Sequence, residues 1–341
     1  MKVLITGGAG FIGSNFVRYA LQHRPNWEVT VLDLLTYAGN LASIVDLIDG
    51  KKIAFVRADI SSRADVTSVV ENGRFELIFN FAAETHVDRS LYDASAFVAA
   101  NVLGVQYLID SARAAKVKRF IQISTDEVYG SLGATGRFVE DSPLQPTSPY
   151  AASKTAGDHM ALSAWRTHGQ EVIVTRCTNN YGPYQFPEKI IPLFVTNALT
   201  DQPLPLYGDG MNVRSWLYVD DHCEGLLAVA ERGRAGEVYA FGGAPESELP
   251  NRVVTEQILK LLQKPPTLIR QVQDRPGHDR RYAVDFSKVQ KELGWQPRTK
   301  FVDGLARTVA WYQHNQQWWQ QVKAGEHQRF YDQHYQGRLT P

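Results

Sequence analysis

The chain has 341 residues, enough for one large domain or two lobes, and its 44% hydrophobic content excludes a disordered chain. Lys plus Arg equals Asp plus Glu at 36 each, so no global field argues for nucleic acid or a membrane surface as a partner, and any anion must be held by local clusters. Two cysteines, Cys177 and Cys223, argue against a disulfide framework and fit a reducing cytoplasm. No run of about 18 apolar residues calls for a transmembrane helix, and the opening "MKVLITGGAGFIG" is too rich in glycine for a signal peptide.

Short apolar runs alternate with amphipathic stretches through the first half. Strands are expected at 2–6, 28–33, 53–58, 76–81, 119–124 and 171–177, with helices between them such as 14–22 and 101–116. This alternation argues for an α/β fold, a Rossmann-type doubly wound parallel sheet with helices on both faces. A long helix is expected from Pro149 or Tyr150 to about His168, ended near Gly169. After about Gly182 proline and glycine thicken, in "YGPYQFPEKIIP", "QPLPLYGDG" and "DRPGHD". Residues 1–182 are therefore expected to form the dinucleotide-binding domain, with a return around 214–243, and 183–341 mainly a smaller C-terminal α/β substrate-binding lobe. Trp311, Trp318 and Trp319 fall at helical spacing and read as packing.

"ITGGAGFIG" follows the first strand and opens a helix. Gly8, Gly10 and Gly13 fit G-x-G-x-x-G, and Gly7, Gly10 and Gly13 fit G-x-x-G-x-x-G equally well. Glycine serves the tight turn, the close approach of a pyrophosphate and helix–strand packing, and the helix N-terminus faces the anion. Asp33 ends the second strand, where a carboxylate accepts from both hydroxyls of an adenine ribose and repels a 2′-phosphate. The pattern favours NAD over NADP. Asp59, ending the third strand, is placed either to touch adenine or to cap a turn.

"SPYAASK" puts Tyr150 and Lys154 four apart on one helix face. An ammonium beside a phenol favours phenolate, which makes Tyr150 a candidate base at neutral pH. The strand before them ends in "STDEVYG", where Thr125 precedes two adjacent acids, Asp126 and Glu127. These acids either cap a helical turn or serve chemistry that needs one base and one acid with pKa values pushed apart.

With "NFAAETHVDRS", "NNYGPYQFPEKIIP", "LYVDDH" and "DRPGHDRRYAVD" added, the chain resembles, essentially end to end, the nucleotide-sugar 4,6-dehydratases of the extended short-chain dehydrogenase/reductase family. The resemblance implies NAD as cofactor, a homodimer, and dehydration of dTDP-glucose to a 4-keto-6-deoxy sugar, on the way to rhamnose or another deoxysugar. In that reading Tyr150 takes the 4-hydroxyl proton as NAD accepts hydride, with Thr125 orienting the hydroxyl. Glu127 removes the C5 proton, Asp126 protonates the departing 6-hydroxyl, and hydride returns to C6. Lys154 holds the nicotinamide ribose. Along the cofactor the resemblance sets Gly7, Gly10, Phe11, Ile12, Gly13, Asp33, Thr36, Asp59, Ile60, Ala82, Ala83, Tyr150, Lys154 and Asn180.

For the substrate it sets Thr85, Thr125, Asn179, Lys189, Pro205, Tyr207, Arg214, Asn251, Arg275 and His278. Arg214 suits a pyrophosphate because its fork matches phosphate oxygens. Lys189 otherwise reads as a surface lysine, His278 as a loop stabiliser, and His86 and Cys177 as structural. The family usually has an acid where this chain has Ser215 and a threonine where it has Ala100, and "GGAPESELPN" runs two residues long before Asn251. Loss of the acid is expected to loosen a partner of Arg214. The rival readings are a nucleotide-sugar 4-epimerase, a 4,6-dehydratase acting on UDP- or another nucleotide sugar, and a non-catalytic NAD-binding scaffold.

Overall fold

The apolar runs of the first half alternate their side chains between two covered faces. In the first strand Val3 and Ile5 turn to one core and Leu4 to the other, and all three are fully buried. The computed structural model describes residues 1–274 and 279–323. It contains β1 (Lys2–Thr6), β2 (Glu28–Asp33), β3 (Ile53–Arg57), β4 (Leu77–Asn80), β5 (Arg119–Thr125) and β6 (Val172–Cys177). Later come β7 (Asn179–Tyr181), β8 (Leu204–Tyr207), β9 (Val213–Tyr218), β10 (Val238–Phe241), β11 (Glu248–Pro250) and β12 (Ile269–Val272). Seven strands form one sheet in the order β10-β6-β5-β4-β1-β2-β3, every pair parallel. This is the doubly wound Rossmann-type arrangement.

The strand order reverses between β1 and β4, and the C-terminal ends there deliver the glycine loop and residues 81–85. Phe16, from the helix Phe11–His23, locks the loop's helix to the sheet with its ring 4.4 Å from Phe79. The helix Pro149–His168 has the ends its sequence demands. Ser148 caps it by accepting from the Ala151 amide, proline takes the first turn, and Gly169 closes it at φ +65°.

One expected helix is different. In place of a continuous helix over 101–116 there is a π-helical stretch, Ala99–Gly104, followed by the α-helix Val105–Ala114. The cause is tertiary. Asn101 turns its side chain inward, donating to the Glu84 carbonyl and Ser153 Oγ and accepting from the Glu84 amide. Its own carbonyl lies so near Gly157 that a Cβ there would stand 2.5 Å away.

The remaining strands build a second layer. β7, β9 and β11 form one small sheet, and β8 pairs with β12. Their core takes Trp216, Tyr218, Phe301 and Tyr312, and it buries Trp318 and Trp319 with Trp311 packed against them. The C-terminal helix is broken at Asn315 into Phe301–His314 and Gln316–Lys323. Between β9 and β10 the chain returns to the first sheet. The helix Val219–Arg232 packs against Phe11–His23, and β10 pairs with β6. Among the described residues no helix is long and apolar enough to cross a membrane.

Candidate active site

The glycine loop lies at the switch point, and its shape depends on missing side chains. Gly7 has φ +68°, and a Cβ on it would stand 2.5 Å from the Ala82 amide nitrogen. A Cβ on Gly13 would stand 2.2 Å from the Gly7 carbonyl oxygen. Gly8 instead points at Val31, with its Cβ position 2.7 Å from a methyl, and does not line the cavity. Of the two possible glycine registers, Gly7, Gly10 and Gly13 is therefore the one that lines the cavity. Gly10 caps the helix without any side-chain bond, so the first-turn amides are left for an anion.

These residues open onto a cavity of about 360 Å³. Phe11, Ile12, Thr36, Ile60, Ala82 and Ala83 line it, as do Asp33, Asp59 and Asn180. Asp33 is oriented by two amides, Ala9 N at 3.0 Å and Leu35 N at 2.8 Å, each on a different oxygen. Burial raises its pKa and the two amides oppose the rise. Asp59 does cap a turn, accepting from the Ser61 amide and hydroxyl, and it lines the cavity as well. A tight loop with no room for a Cβ at Gly7 or Gly13, uncapped amides and an oriented carboxylate together fit an adenine dinucleotide without a 2′-phosphate.

β5 carries the chemistry to the cavity floor. It ends at Thr125, whose hydroxyl accepts from the Glu127 amide and starts the tight turn Asp126–Tyr129. Thr125, Asp126, Glu127, Tyr150 and Lys154 all line the cavity. Asp126 is 2% exposed, and burial, then the Glu127 carboxylate, push its carboxyl up to about 7. Tyr150 is 7% exposed. Its phenol is raised well above 10, first by burial and then by Glu127, while a hydrogen bond with Thr125 works the other way. The expectation of a lowered phenol is not met, because burial and Glu127 dominate the shift. Lys154 donates to the Ile123 carbonyl at 2.7 Å, and burial lowers its own pKa against the pull of Asp158. Cys177 is buried, and its thiol is raised to about 12 by burial, so it is a packed group and not a nucleophile.

A second cavity of about 160 Å³ adjoins the first. Pro205, Tyr207, Arg214 and Asn251 line it, Thr85 lines the first, and Asn179, Lys189 and Glu127 line both. Arg275 and His278 lie outside the described residues. Lys189 Nζ donates to the Thr85 carbonyl at 3.1 Å, which ties it across the junction and makes it more than a surface lysine. Arg214 is held by the Asp279 carbonyl at 3.0 Å, with its guanidinium 4.5 Å from the Tyr282 ring centre. Ser215 does not loosen it. Neighbouring strand residues face opposite ways, and Ser215 Oγ accepts from the Gly243 amide instead. Ala100 lines the first cavity with no polar atom to offer from its side chain. Asn179 and Asn251 each keep a buried Oδ1 with no hydrogen bond, an acceptor that a ligand donor would satisfy. Three residues at the junction escaped the sequence reading as ligand-facing groups: His86 in the second cavity, and Glu188 and Trp216 in both. Only the position of Glu188 beside Lys189 could have flagged it.

A family model described as GDP-mannose 4,6 dehydratase matches residues 4–308. The dTDP-glucose 4,6-dehydratase of Streptomyces niveus is 50% identical over 328 residues, covering 95% of this chain and 96% of that one. The chain belongs to the dTDP-glucose 4,6-dehydratase family. A member from Neisseria meningitidis serogroup B is 46% identical over 347 residues, covering 96% of this chain and 97% of its own. The family member DesIV of Streptomyces venezuelae, solved with NAD bound, superposes with a TM-score of 0.90 at 49% identity, over 95% of this chain and all of its own. The UDP-glucose 4-epimerase of Thermus thermophilus, solved with NAD, shares the fold at a TM-score of 0.86 and 29% identity, over 92% of this chain and all of its own.

Proposed function

We propose that this chain is an NAD-dependent hydro-lyase that converts dTDP-glucose to dTDP-4-keto-6-deoxyglucose. The observation that carries this reading is the pair at the end of β5. A buried acid, Asp126, has a pKa of about 7, and a second acid, Glu127, faces both cavities beside Tyr150. An epimerase shares the cradle and the Tyr–Lys pair but gives these acids no task.

Bound NAD supplies the hydride acceptor for C4 and the donor for C6. Tyr150 removes the 4-hydroxyl proton, and Thr125, within hydrogen-bond reach of the phenol, orients the same hydroxyl. Once C4 is a ketone the C5 proton is acidic. Glu127 takes it, and Asp126, whose pKa burial and then Glu127 raise to about 7, gives its proton to the leaving 6-hydroxyl. Lys154, anchored on Ile123, holds the nicotinamide ribose.

Residues 1–182, with the return through β10, serve as the NAD-binding domain, and most of 183–341 binds the nucleotide sugar. Arg214 and Lys189 take the diphosphate, Pro205 and Tyr207 flank the base, and Asn179 and Asn251 offer their unfilled acceptors. Thymine and uracil differ by one methyl, worth about 1–3 kcal/mol in an apolar pocket. We also propose a cytoplasmic homodimer, paired through the outer side of residues 87–104, where Leu91, Tyr92, Val98 and Leu103 are exposed.

The test is to purify the protein with no NAD added, supply dTDP-glucose, UDP-glucose and GDP-mannose separately, and read product masses. Loss of one water from dTDP-glucose with no net reduced cofactor is the expected result. Unchanged mass with a new stereoisomer would make the protein an epimerase.

A further inference from the structure

Lys154 holds its charge in a dry place. It is 5% exposed, and among the described residues its ammonium bonds only the Ile123 carbonyl, a neutral acceptor at 2.7 Å. A buried cation needs a counter-charge or it gives up its proton. Four residues on, Asp158 stands on the same helix, and that spacing sets the two side chains on one face, about 5–6 Å apart at Cβ. The Asp158 side chain is 0% exposed. Its Oδ2 accepts from Arg176 Nε at 2.9 Å, while its Oδ1 makes no hydrogen bond within the protein. Arg176 is engaged elsewhere as well, donating to the Tyr129 hydroxyl at 3.0 Å and the Glu140 carbonyl at 3.3 Å. Of this pair it is the carboxylate that acts on Lys154, and its charge opposes the lowering by burial. Burial raises Asp158 in turn, and Arg176, then Lys154, oppose that rise.

No other group nearby takes this part. Burial keeps Tyr150 and Cys177, the neighbours on the same helix and on β6, protonated. Asp126 and Glu127, in the same cavity, act on each other and on Tyr150. On the segments packed against this helix, residues 95–104 carry no titratable side chain. Asp110 and Tyr107 of the helix Val105–Ala114 turn to Arg63, the carboxylate at 3.4 Å and the ring centre at 4.5 Å. In Val87–Tyr92, Arg89 lies over the Tyr37 ring at 3.9 Å, and Asp88 accepts from the Tyr207 hydroxyl at 3.5 Å. Resting on the reading above, in which the Lys154 ammonium holds the nicotinamide ribose beside Tyr150, we propose that Asp158 is a positioning residue for the reaction. It is the counter-charge that keeps Lys154 an ammonium in the closed cavity, and Arg176 holds Asp158 ionised and in register.

The test separates charge from packing. Asp158→Asn strands a buried guanidinium, so the deciding variant is Asp158→Leu with Arg176→Met, which removes both charges and keeps the volume. The Lys154 titration is read in the full chain by carbon-13 NMR of labelled lysine, with its signal assigned by Lys154→Met. In the double variant Lys154 should lose its proton at least about one pH unit below the parent, and the high-pH limb of kcat/KM on dTDP-glucose should move down with it. Asp158→Asn, which leaves the Arg176 charge unopposed, should move both further. A double variant whose Lys154 titration and pH profile match the parent would mark the pair as structural and overturn the inference. No turnover of dTDP-glucose by the parent would overturn the substrate reading, and the Lys154 titration, read without substrate, would still decide whether Asp158 is its counter-charge.

Discussion

Asp126 and Glu127 are chain neighbours whose carboxyls meet opposite surroundings: Asp126 is 2% exposed, while Glu127 opens onto both cavities. The tight turn begun by the Thr125 hydroxyl separates them, and burial does the rest.

Glu127→Gln should separate oxidation from elimination. The variant keeps the fold and C4 oxidation but loses its base at C5. Water loss should slow by about 10²–10⁴-fold, read by product mass, and exchange of the C5 proton into deuterated water should stop. Water loss at the parent rate would remove Glu127 from its role.

Asp126 makes a stability prediction whose sign follows from its raised pKa. Unfolded, the group titrates near 3.9; folded, at about 7. The folded state therefore holds the proton more tightly. This contribution to stability is full below about pH 4 and is lost as pH rises through about 7. Asp126→Asn, which never ionises, should gain on the parent across that window by on the order of 2–4 kcal/mol at pH 8. Melting temperatures at pH 4 and pH 8 check it; an offset that stays constant with pH would contradict it.

Tyr150 should stay protonated in the ligand-free protein. Its phenol is raised by burial and by Glu127. Difference absorbance between the parent and Tyr150→Phe should show no tyrosinate from this residue up to pH 10. Phenolate appearing near pH 7 without cofactor would show that Lys154 acts on it unaided.

Two alanine substitutions test the cradle against its surroundings. Gly13→Ala drives a methyl to 2.2 Å from the Gly7 carbonyl and should abolish NAD binding while costing about 1–3 kcal/mol of stability. Gly133→Ala has nothing within 4 Å and should stay within about 0.5 kcal/mol with NAD affinity unchanged. Calorimetric titration and denaturant melts read both.

Behind Lys154, Asp158 and Arg176 form an ion pair at 2.9 Å with side chains 0% and 3% exposed, and Arg176 also donates to the Tyr129 hydroxyl at 3.0 Å. Asp158→Asn leaves a buried guanidinium uncompensated and should cost about 3–5 kcal/mol. Replacing both partners with apolar residues of similar size should recover much of it. Equal losses for the single and double variants would contradict this account.

Several features could be read from the chain without coordinates because each has a local cause. Ser148, Pro149 and Gly169 set the ends of their helix by capping chemistry alone, and β1, β2, β5 and β6 follow from apolar runs between breakers. The π-helical stretch at 99–104 could not be read this way. It depends on Asn101 meeting Glu84, Ser153 and Gly157, contacts up to 56 residues apart in the chain. The same limit hid Glu188, which looks like any loop acid until His86 and Lys189 are brought beside it. The direction of the Tyr150 shift failed for a related reason: helical spacing placed Lys154 near the phenol but could not show the phenol buried beside Glu127.

The return of the chain through Val219–Arg232 and β10 bears on how this enzyme can diversify. A gene fragment ending at 182 would encode a sheet without its edge strand and a first helix stripped of its cover. The segment after residue 182 is therefore not a cassette that recombination could clip from one relative and fuse to another. New sugar preferences have to arise in place, by point changes and by lengthening or trimming loops.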